Sequence, residues 1–549
     1  MSDSKVSLNV IEIELISNAL RSVVDETFVA LMKTAYSTNI KERHDHSTCI
    51  MDLQGRGIVQ ASMAIPVHIA SMTGLVSFVS NRYGDDVNPG DIFVANDPHV
   101  AGGTHLPDIN MAAPIFNEGK LVAFFCNIAH HADIGGMAPG SMAGGMREIY
   151  QEGLRLPLVR LFHGGELDED LLDLILLNVR VPRERRGDYL AQVSASRLGE
   201  RRMKESIEQF GIDKLELAFD EIVAASERRM RRSLADLPDG EYEFEDVMDN
   251  DGVETVDINI SLKVKKLADR IHFDFSGSHP QVTGNINTTL NATQAGVAFA
   301  LKALLDPHSP NNEGILNVCE VTAETGSVLN SVEPASVAAR AHTCQRVIDV
   351  VFGALADCLP QRAMGASNGS NTTAVFAGKD PRNGESYVYL ETLGGGCGAR
   401  ATKDGKDGVQ VGITNTSNLP VEAIELEYPL LIEEYSLIDG SGGSGKYRGG
   451  MGLRRIVRPL HKNCVFNGVG ERFVHQPWGV FGGEPGRAGK FYIRDDDGTI
   501  TPLPTKPNEV LLKDGQCIVV ETPGAGGYGV VSERASKLVE KDRVTGKQR

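Results

Sequence analysis

The chain carries histidine and aspartate side chains in three short segments that show no helical period. The residues of these segments whose side chains can bind a metal ion or transfer a proton are Asp45, His105, Asp108, His130, His131 and Asp133. His105 and Asp108 stand in THLPD, where Pro107 forbids the continuation of a helix and therefore predicts a loop. His130 and His131 follow the apolar run LVAFFCNIA, which predicts a buried strand that ends at the two rings.

These side chains are suitable ligands for a metal ion. If the three segments converge, two imidazole nitrogens and two carboxylate oxygens would form a mixed site for a divalent transition metal, for which Zn and Mn are the best candidates. The alternative is structural, because an H-x-x-D spacing arises by chance and loop histidines often only anchor the backbone. We interpret His44, His68 and His99 as structural or supporting residues, since a metal needs about four ligands and a ligand histidine usually donates its other N–H to a neighbour.

Two glycine-rich segments and two nucleophiles are weaker candidates. The run GSGGSGKY matches the start of a phosphate-binding loop, but Tyr447 replaces the Ser or Thr that would hold magnesium, and no helix is expected after it. A surface hairpin explains this run better, and turn formation explains TPGAGGYG. Cys397 and Ser141 lack the local signatures of cysteine and serine hydrolases, so we interpret them as structural, with Cys397 left open as a covalent catalyst.

Composition and charge restrict the class of protein. A chain of 549 residues predicts two or three domains. The net charge of −18 repels phosphate backbones and anionic lipids, which argues against nucleic acid and membranes as partners. The eight cysteines have no CxxC spacing and predict reduced, mostly buried thiols. With no signal peptide or membrane span in the sequence, we predict a soluble cytoplasmic protein.

Hydrophobic periodicity predicts a mixed α+β fold with several domains. Helical spacing predicts an amphipathic helix over residues 11–36, and two helices within 189–235, the first of which ends at Gly211. The runs STCIMDLQG and IVQASMAIPVHIA predict two strands, and alternation from residue 256 predicts a mainly antiparallel sheet interrupted by helices near 295–305 and 345–359. We predict a metal-binding α/β domain over 1–237, a central α+β domain over 238–420 and a Gly-rich β domain over 421–549.

Long ordered matches to a known family extend over nearly the whole chain. The runs GDIFVANDPHVAGGTHLPDINMAAPIF, AFFCNIAHHADIGGMAPGSMAGGMREIYQEGLRLP, IKERHDHSTCIMD, NVRVPRERRGDYLAQ and FDFSGSHPQVTGNIN closely resemble the hydantoinase B family. This family comprises the B-type subunits of ATP-dependent hydantoinases, 5-oxoprolinases and caprolactamases, and it is related to the acetone carboxylase alpha subunit. Such a series of matches is far more specific than any single motif.

The resemblance implies a ligand set for the metal. It assigns His105, Asp108 and His130 as ligands of a divalent cation, with a carboxylate from the upstream ER-x-D segment as the fourth. We assign Asp45 to that place and keep Glu42 as the alternative. The chain departs from its relatives at His46, where Phe is common, which leaves open an altered environment around the ligands. As further catalytic candidates, His131 and Asp133 would carry protons or support the ligands.

The resemblance also implies a function and a partner. Family members act with a larger A-type subunit that uses ATP and Mg²⁺, which is consistent with the absence of a convincing nucleotide site here. The first hypothesis is therefore the metal-bearing B-type subunit of an ATP-dependent cyclic amidohydrolase, in a hetero-oligomer such as a heterotetramer. A component of a ketone carboxylase is the alternative within the family. A third hypothesis is a scaffold in which the ion only maintains folding.

Overall fold

The computed structural model describes residues 8–72 and 74–547. Its first sheet has seven antiparallel strands in the order β2-β1-β5-β4-β3-β6-β7. The strands are β1 (His46–Met51), β2 (Gly57–Gln60), β3 (Ile92–Ala95), β4 (Asp108–Asn117), β5 (Lys120–His130), β6 (Val159–His163) and β7 (Glu166–Leu167). The central strands are buried on both faces, which explains why the β5 sequence reads as a continuous apolar run.

Helices cover both faces of the first sheet. They are α1 (Val10–Thr34), α2 (Thr38–Lys41), α3 (Pro66–Met72), α4 (Leu75–Tyr83), α5 (Glu169–Leu177), α6 (Pro182–Phe210) and α7 (Ile212–Ala235). The Asn9 side chain accepts hydrogen bonds from the backbone N–H groups of Ile11 and Glu12 and so caps the start of α1. On one face α1, α6 and α7 pack against Ile50 and Phe125, and on the other α4 packs against the neighbouring strand residues. The sheet is thereby held rigidly between two helical layers.

A second sheet of four strands follows in the order β11-β10-β9-β8. It consists of β8 (Gly240–Asn250), β9 (Val256–Leu267), β10 (Arg270–Asp274) and β11 (Cys319–Thr322), and only the β10–β11 pair is parallel. The helices of this region are α8 (Leu290–Leu305), α9 (Glu313–Leu316) and α10 (Arg340–Ala354). The apolar residues of β9 alternate towards α8 and α10 and form one core with them.

The rest of the chain forms two further sheets. The third, in the order β13-β12-β16-β19, contains β12 (Thr373–Lys379), β13 (Ser386–Thr392), β16 (Val465–Val469) and β19 (Val510–Leu511). The fourth, in the order β14-β15-β20-β17-β18, contains β14 (Leu430–Leu437), β15 (Leu453–Pro459), β17 (Lys490–Arg494), β18 (Ile500–Pro502) and β20 (Cys517–Glu521). Two helices, α11 (Val421–Glu427) and α12 (Ser536–Val544), accompany these sheets.

The mixed α+β class with several antiparallel sheets is confirmed, and so are the long first helix and the helix break at Gly211. The strand predicted through PVHIA is wrong, because Pro66 starts the helix α3 after a turn at Ala64. Proline favours the first helical position, where its missing N–H costs nothing. The domain boundaries near 238 and 420 stay predictions. Among the described residues, no helix is both long and apolar enough to cross a bilayer.

Candidate metal centre

The end of the first sheet brings together three of the predicted ligands. Asp108 is the first residue of β4 and pairs directly with His130, the last residue of β5. His105 lies in the turn before β4, where its carbonyl oxygen accepts from the Asp108 N–H at 3.3 Å. Within residues 8–72 and 74–547, the side chains of His105, Asp108 and His130 are the one group whose candidate ligand atoms all lie within 4.8 Å of one another. The predicted loop therefore ends at Asp108, which is already part of a strand.

Asp45 approaches the same place from a third direction. Its carbonyl oxygen accepts from the His130 N–H at 2.9 Å, since residue 45 immediately precedes β1, the neighbour of β5. Its carboxylate lies 3.8 Å from His68 Nε2, which is in turn 3.7 Å from Asp108 Oδ1. Asp45 is buried, whereas Glu42 is partly exposed at the C-cap of α2. Asp45 is outside the compact group of three, and its role as fourth ligand stays a prediction.

Two buried atoms in this group have no hydrogen-bond partner. They are His105 Nε2 and Asp108 Oδ1, and they lie 3.2 Å from each other. The remaining polar atoms of both side chains are satisfied, because His105 Nδ1 lies 2.9 Å from the Ala338 carbonyl oxygen and Arg340 donates to Asp108 Oδ2 at 2.5 Å. A carbonyl can only accept, so Nδ1 carries the proton and Nε2 keeps its lone pair. Two unpaired acceptors that converge in a buried place fit a bound cation.

The third side chain, His130, is held by a series of hydrogen bonds through Asn39 and Arg43. Asn39 Nδ2 donates to His130 Nδ1 at 2.9 Å and to the His130 carbonyl oxygen at 2.7 Å. Arg43 donates to the Asn39 amide oxygen, which fixes the direction of that amide. In this arrangement Nδ1 accepts and Nε2 is the protonated nitrogen of the neutral ring. Ligation through Nε2 therefore requires the proton to shift to Nδ1 and the Asn39 contact to rearrange.

Burial and nearby charges give the group the protonation states that ligands need. Burial raises the pKa of Asp108, but the charged guanidinium group of Arg340 opposes this effect and helps to hold that pKa well below the usual range. Burial lowers the pKa of His105, with a further contribution from Arg340, and it lowers the pKa of His130 well below the ordinary value. Burial raises the pKa of Asp45 to about 7. Near neutral pH the two rings are uncharged and Asp108 is ionised, as cation binding requires.

The catalytic candidates His131 and Asp133 have contacts of another kind. Since neighbouring residues at a strand end point to opposite sides, His131 faces α6, where its Nε2 lies 2.9 Å from Gln192 Oε1 and its ring meets Tyr189 edge-on. Asp133 accepts from the N–H groups of Gly135 and Gly140 and from Arg180. These are the hydrogen bonds of residues that anchor a loop. A catalytic role for either residue stays a prediction.

Two other sequence candidates have structural contacts of their own. Ser141 Oγ accepts from the Ile134 N–H and donates to the Gly135 carbonyl oxygen, which is a structural arrangement. The run at residues 440–447 pairs with the closing TPGAGGYG through mutual backbone hydrogen bonds between Tyr447 and Tyr528, and irregular backbone follows it. It is therefore packed between chain segments and is not the surface hairpin that the sequence predicts.

Sequence reasoning missed the residues that support the group. Arg340, the Ala338 carbonyl and Glu152 belong to segments that are distant in sequence, and their spacing carries no metal-binding signal. Asn39 and Arg43 stand in the NIKER segment, close in sequence to the predicted ligand Asp45. That closeness in sequence was the one feature that could have indicated their supporting role. Supporting groups of this kind fix the orientation of a ligand and are identified by contacts rather than by spacing.

The fold and the site define a class: an α+β protein of several antiparallel sheets, with a buried histidine and aspartate group at the end of one sheet. The sequence profile of the Hydantoinase B/oxoprolinase family matches residues 9–531, and the chain belongs to that family.

Three relatives are similar over nearly the whole chain. An uncharacterised protein of Methanocaldococcus jannaschii is 37% identical over 97% of this chain and 92% of its own length. A protein of Pseudomonas sp. strain NS671, named as the B-type component of a D-/L-hydantoinase, is 31% identical over 98% of this chain and 92% of its own. The 5-oxoprolinase 1 of Arabidopsis thaliana is 32% identical over 95% of this chain but only 42% of its own length. This chain thus corresponds to less than half of that enzyme.

Two solved structures share the fold. The ATP-dependent caprolactamase from Pseudomonas jessenii superimposes with a TM-score of 0.91 at 29% identity, covering 98% of this chain and 94% of that one. Nucleotide-free acetone carboxylase also gives a TM-score of 0.91, at 20% identity, and covers 98% of this chain and 78% of that one. At that lower identity the likeness shows the fold alone.

Proposed function

We propose that this chain is the metal-bearing B-type subunit of an ATP-dependent enzyme that hydrolyses the C–N bond of a cyclic amide. The A-type partner would bind ATP and Mg²⁺ and phosphorylate the amide oxygen, which makes the ring carbon more electrophilic. Water would then add to that carbon and the ring nitrogen would leave with a proton, and hydrolysis of the resulting acyl phosphate would release phosphate and the ring-opened acid. Support comes from the family and from relatives named as a hydantoinase component and an ATP-dependent caprolactamase. The observation that carries the metal assignment is the pair of unpaired, converging acceptors on His105 and Asp108.

The residues of this chain have separate tasks in the proposed reaction. His105 Nε2, Asp108 Oδ1 and His130 hold a divalent cation, Zn or Mn, and Asp45 is the fourth ligand. When bound, the cation supplies Lewis acidity that polarises a carbonyl or phosphoryl oxygen. Arg340 keeps Asp108 ionised by its contact with Oδ2. The buried surroundings exclude bulk water, which strengthens each electrostatic contact at the site.

The experiment that tests this proposal uses the chain together with its A-type partner. Ring opening and phosphate release are measured on hydantoins, 5-oxoproline and lactams, with and without added Zn²⁺ or Mn²⁺. We expect phosphate release coupled to ring opening of at least one substrate, and loss of ring opening in Asp108→Asn. Phosphate release without ring opening on every substrate contradicts the hydrolase. Carboxylation of a ketone in the presence of bicarbonate identifies the alternative, a component of a ketone carboxylase.

The third hypothesis, a scaffold stabilised by metal, predicts a different behaviour of the ligand variants. If the ion only maintains folding, Asp108→Asn and His105→Ala lose soluble protein and do not yield a folded, inactive complex. A variant that folds, assembles with the partner and hydrolyses ATP, but no longer opens the ring, supports a catalytic ion. Circular dichroism and size-exclusion chromatography of the variant complexes distinguish these results.

A further inference from the structure

A cavity of about 470 Å³ lies between α3, α8, α9 and the segment 410–415, outside the group of metal ligands. Its volume is within the range of small-molecule sites. One stripe of α8 forms its longest wall, since Gln294, Ala298 and Lys302 recur every four residues and lie on one face of the helix. The small side chain of Ala298, at the centre of this stripe, leaves the space open. Apolar contact comes from Phe299 and Ile315.

The charge of the cavity wall is unusual for this protein. The chain has a net charge of −18, yet no carboxylate lines the cavity within the described residues, and its only charged lining residue there is Lys302. The nearby carboxylate of Asp306 forms an ion pair with Arg229, whose Nη2 lies 2.8 Å from Asp306 Oδ2. In the described part of the chain Lys302 forms no ion pair, and its ammonium group donates to the Asn311 amide oxygen. An ammonium group with two further donors on a partly buried wall is suited to an anion.

The rest of the polar wall consists mainly of carboxamides. The residues that contribute them are Asn291, Gln294, Asn311, Asn312, Gln410 and Asn415. The Asn312 amide caps α9 and contacts Ser226, so it is structural. The Gln294 amide forms no hydrogen bond within residues 8–72 and 74–547 and stands two turns from Lys302. A carboxamide both donates and accepts, which suits the N–H and C=O of an amide.

Two elements that line the cavity also lead to the candidate metal centre. Pro66, which lines the cavity, starts the same helix α3 that carries His68, and His68 Nε2 lies 3.7 Å from Asp108 Oδ1. The opposite wall, at residues 410–415, continues to Thr416, whose hydroxyl lies 3.4 Å from Arg43 Nη2. Arg43 in turn holds Asn39 against His130. A molecule in this cavity therefore contacts the elements that position the predicted ligands.

We propose that this cavity binds a small organic carboxylate that also carries a neutral amide group, with the carboxylate at Lys302 and the amide at Gln294. The choice of an anion rests on the cavity wall alone, whereas the choice of an amide-bearing molecule rests on the proposed function. Binding here would place substrate or ring-opened product against elements that also reach the metal centre.

The test is direct binding to the purified full-length chain. Isothermal titration calorimetry compares 5-oxoproline with 2-pyrrolidinone, which has the same ring without the carboxylate. We expect 5-oxoproline to bind more tightly, and Lys302→Gln to weaken its binding by about tenfold or more, as loss of a charge-assisted hydrogen bond predicts. The control Lys263→Gln, on an exposed position of β9, leaves the affinity unchanged. Equal affinity in Lys302→Gln and the wild type overturns the proposal, as does the absence of binding to the wild type.

Two further measurements distinguish the cavity from other sites. Ala298→Leu fills the cavity without changing charge and should also abolish 5-oxoproline binding. This variant tests the proposal if Lys302→Gln does not fold, and unchanged binding in it would overturn the cavity site. Asp108→Asn and chelator-treated protein should bind 5-oxoproline with unchanged affinity, and loss of binding in either places the ligand at the metal centre and overturns the cavity site. A chain that binds 5-oxoproline through Lys302 but opens no cyclic amide with its partner contradicts the proposed function and leaves the anion site standing.

Discussion

Asp108 and His130 lie directly opposite each other in the antiparallel pairing of β4 with β5. The turn at Glu118 and Gly119 closes this hairpin, so the chain returns to the same end of the sheet from which β4 began. The register places the carboxylate and the imidazole side by side. The pairing of the two strands therefore holds these two residues near each other.

The first prediction concerns metal content. His105→Ala and Asp108→Asn each remove one of the two unpaired acceptors, so each should lower the bound Zn or Mn of the purified protein to about one tenth or less. Elemental analysis by inductively coupled plasma mass spectrometry measures this. His163→Ala, at an exposed strand end, is the matched control and should keep the full metal content. Equal metal content in all three variants contradicts the ligand assignment.

The second prediction concerns Arg340, whose guanidinium group pairs with Asp108 in a buried place. Arg340→Met leaves a buried carboxylate without its cationic partner and should destabilise the metal-free protein by about 3 kcal/mol. Added metal restores a positive charge next to Asp108, so the deficit should shrink in the loaded protein. Chemical denaturation with and without metal checks this difference. The same deficit in both states would show that Arg340 stabilises the fold independently of the ion.

The third prediction concerns Glu152, which holds the segment whose carbonyl orients His105. Glu152 Oε1 accepts from the N–H groups of Val337 and Ala338 at 2.5 and 2.8 Å, and the Ala338 carbonyl lies 2.9 Å from His105 Nδ1. Glu152→Ala leaves buried donors unpaired and should weaken metal binding roughly tenfold. Glu152→Gln retains an acceptor and should lose less affinity, as a chelator competition titration would show. If both variants bind like the wild type, the segment does not orient His105.

The fourth prediction tests how closely α6 packs on the sheet. A Cβ atom at Gly199 would lie 2.3 Å from the ring of Phe125 in β5, the strand that ends at His130. Gly199→Ala should therefore destabilise the protein by about 1–3 kcal/mol in urea denaturation. Ser194→Ala, on the exposed side of the same helix, should stay within about 0.5 kcal/mol of the wild type. A neutral Gly199→Ala would mean that helix and strand can separate without cost.

The sequence predicts the long elements because their signals are local. The period of α1 and the apolar run of β5 depend only on neighbouring residues, and Gly211 adopts a positive φ of 81° where one helix ends and the next begins. The strand predicted over IVQASMAIPVHIA is right for its first residues and wrong at PVHIA, because Pro66 starts a helix there and five residues are too few to carry a period of their own. The clustering of His105, Asp108 and His130 was predictable from residue type and family resemblance. The contacts of Arg340 and Glu152 were not, since contacts over long sequence separations leave no local pattern.

The proposed metal centre requires that His105, Asp108 and His130 bind one divalent cation. Crystals of the protein soaked in Mn²⁺ and measured at the manganese absorption edge test it directly. We expect one strong anomalous peak within ligation distance of His105 Nε2, Asp108 Oδ1 and a ring nitrogen of His130. A peak at another place, or none at this one while Mn²⁺ is bound in solution, would contradict it.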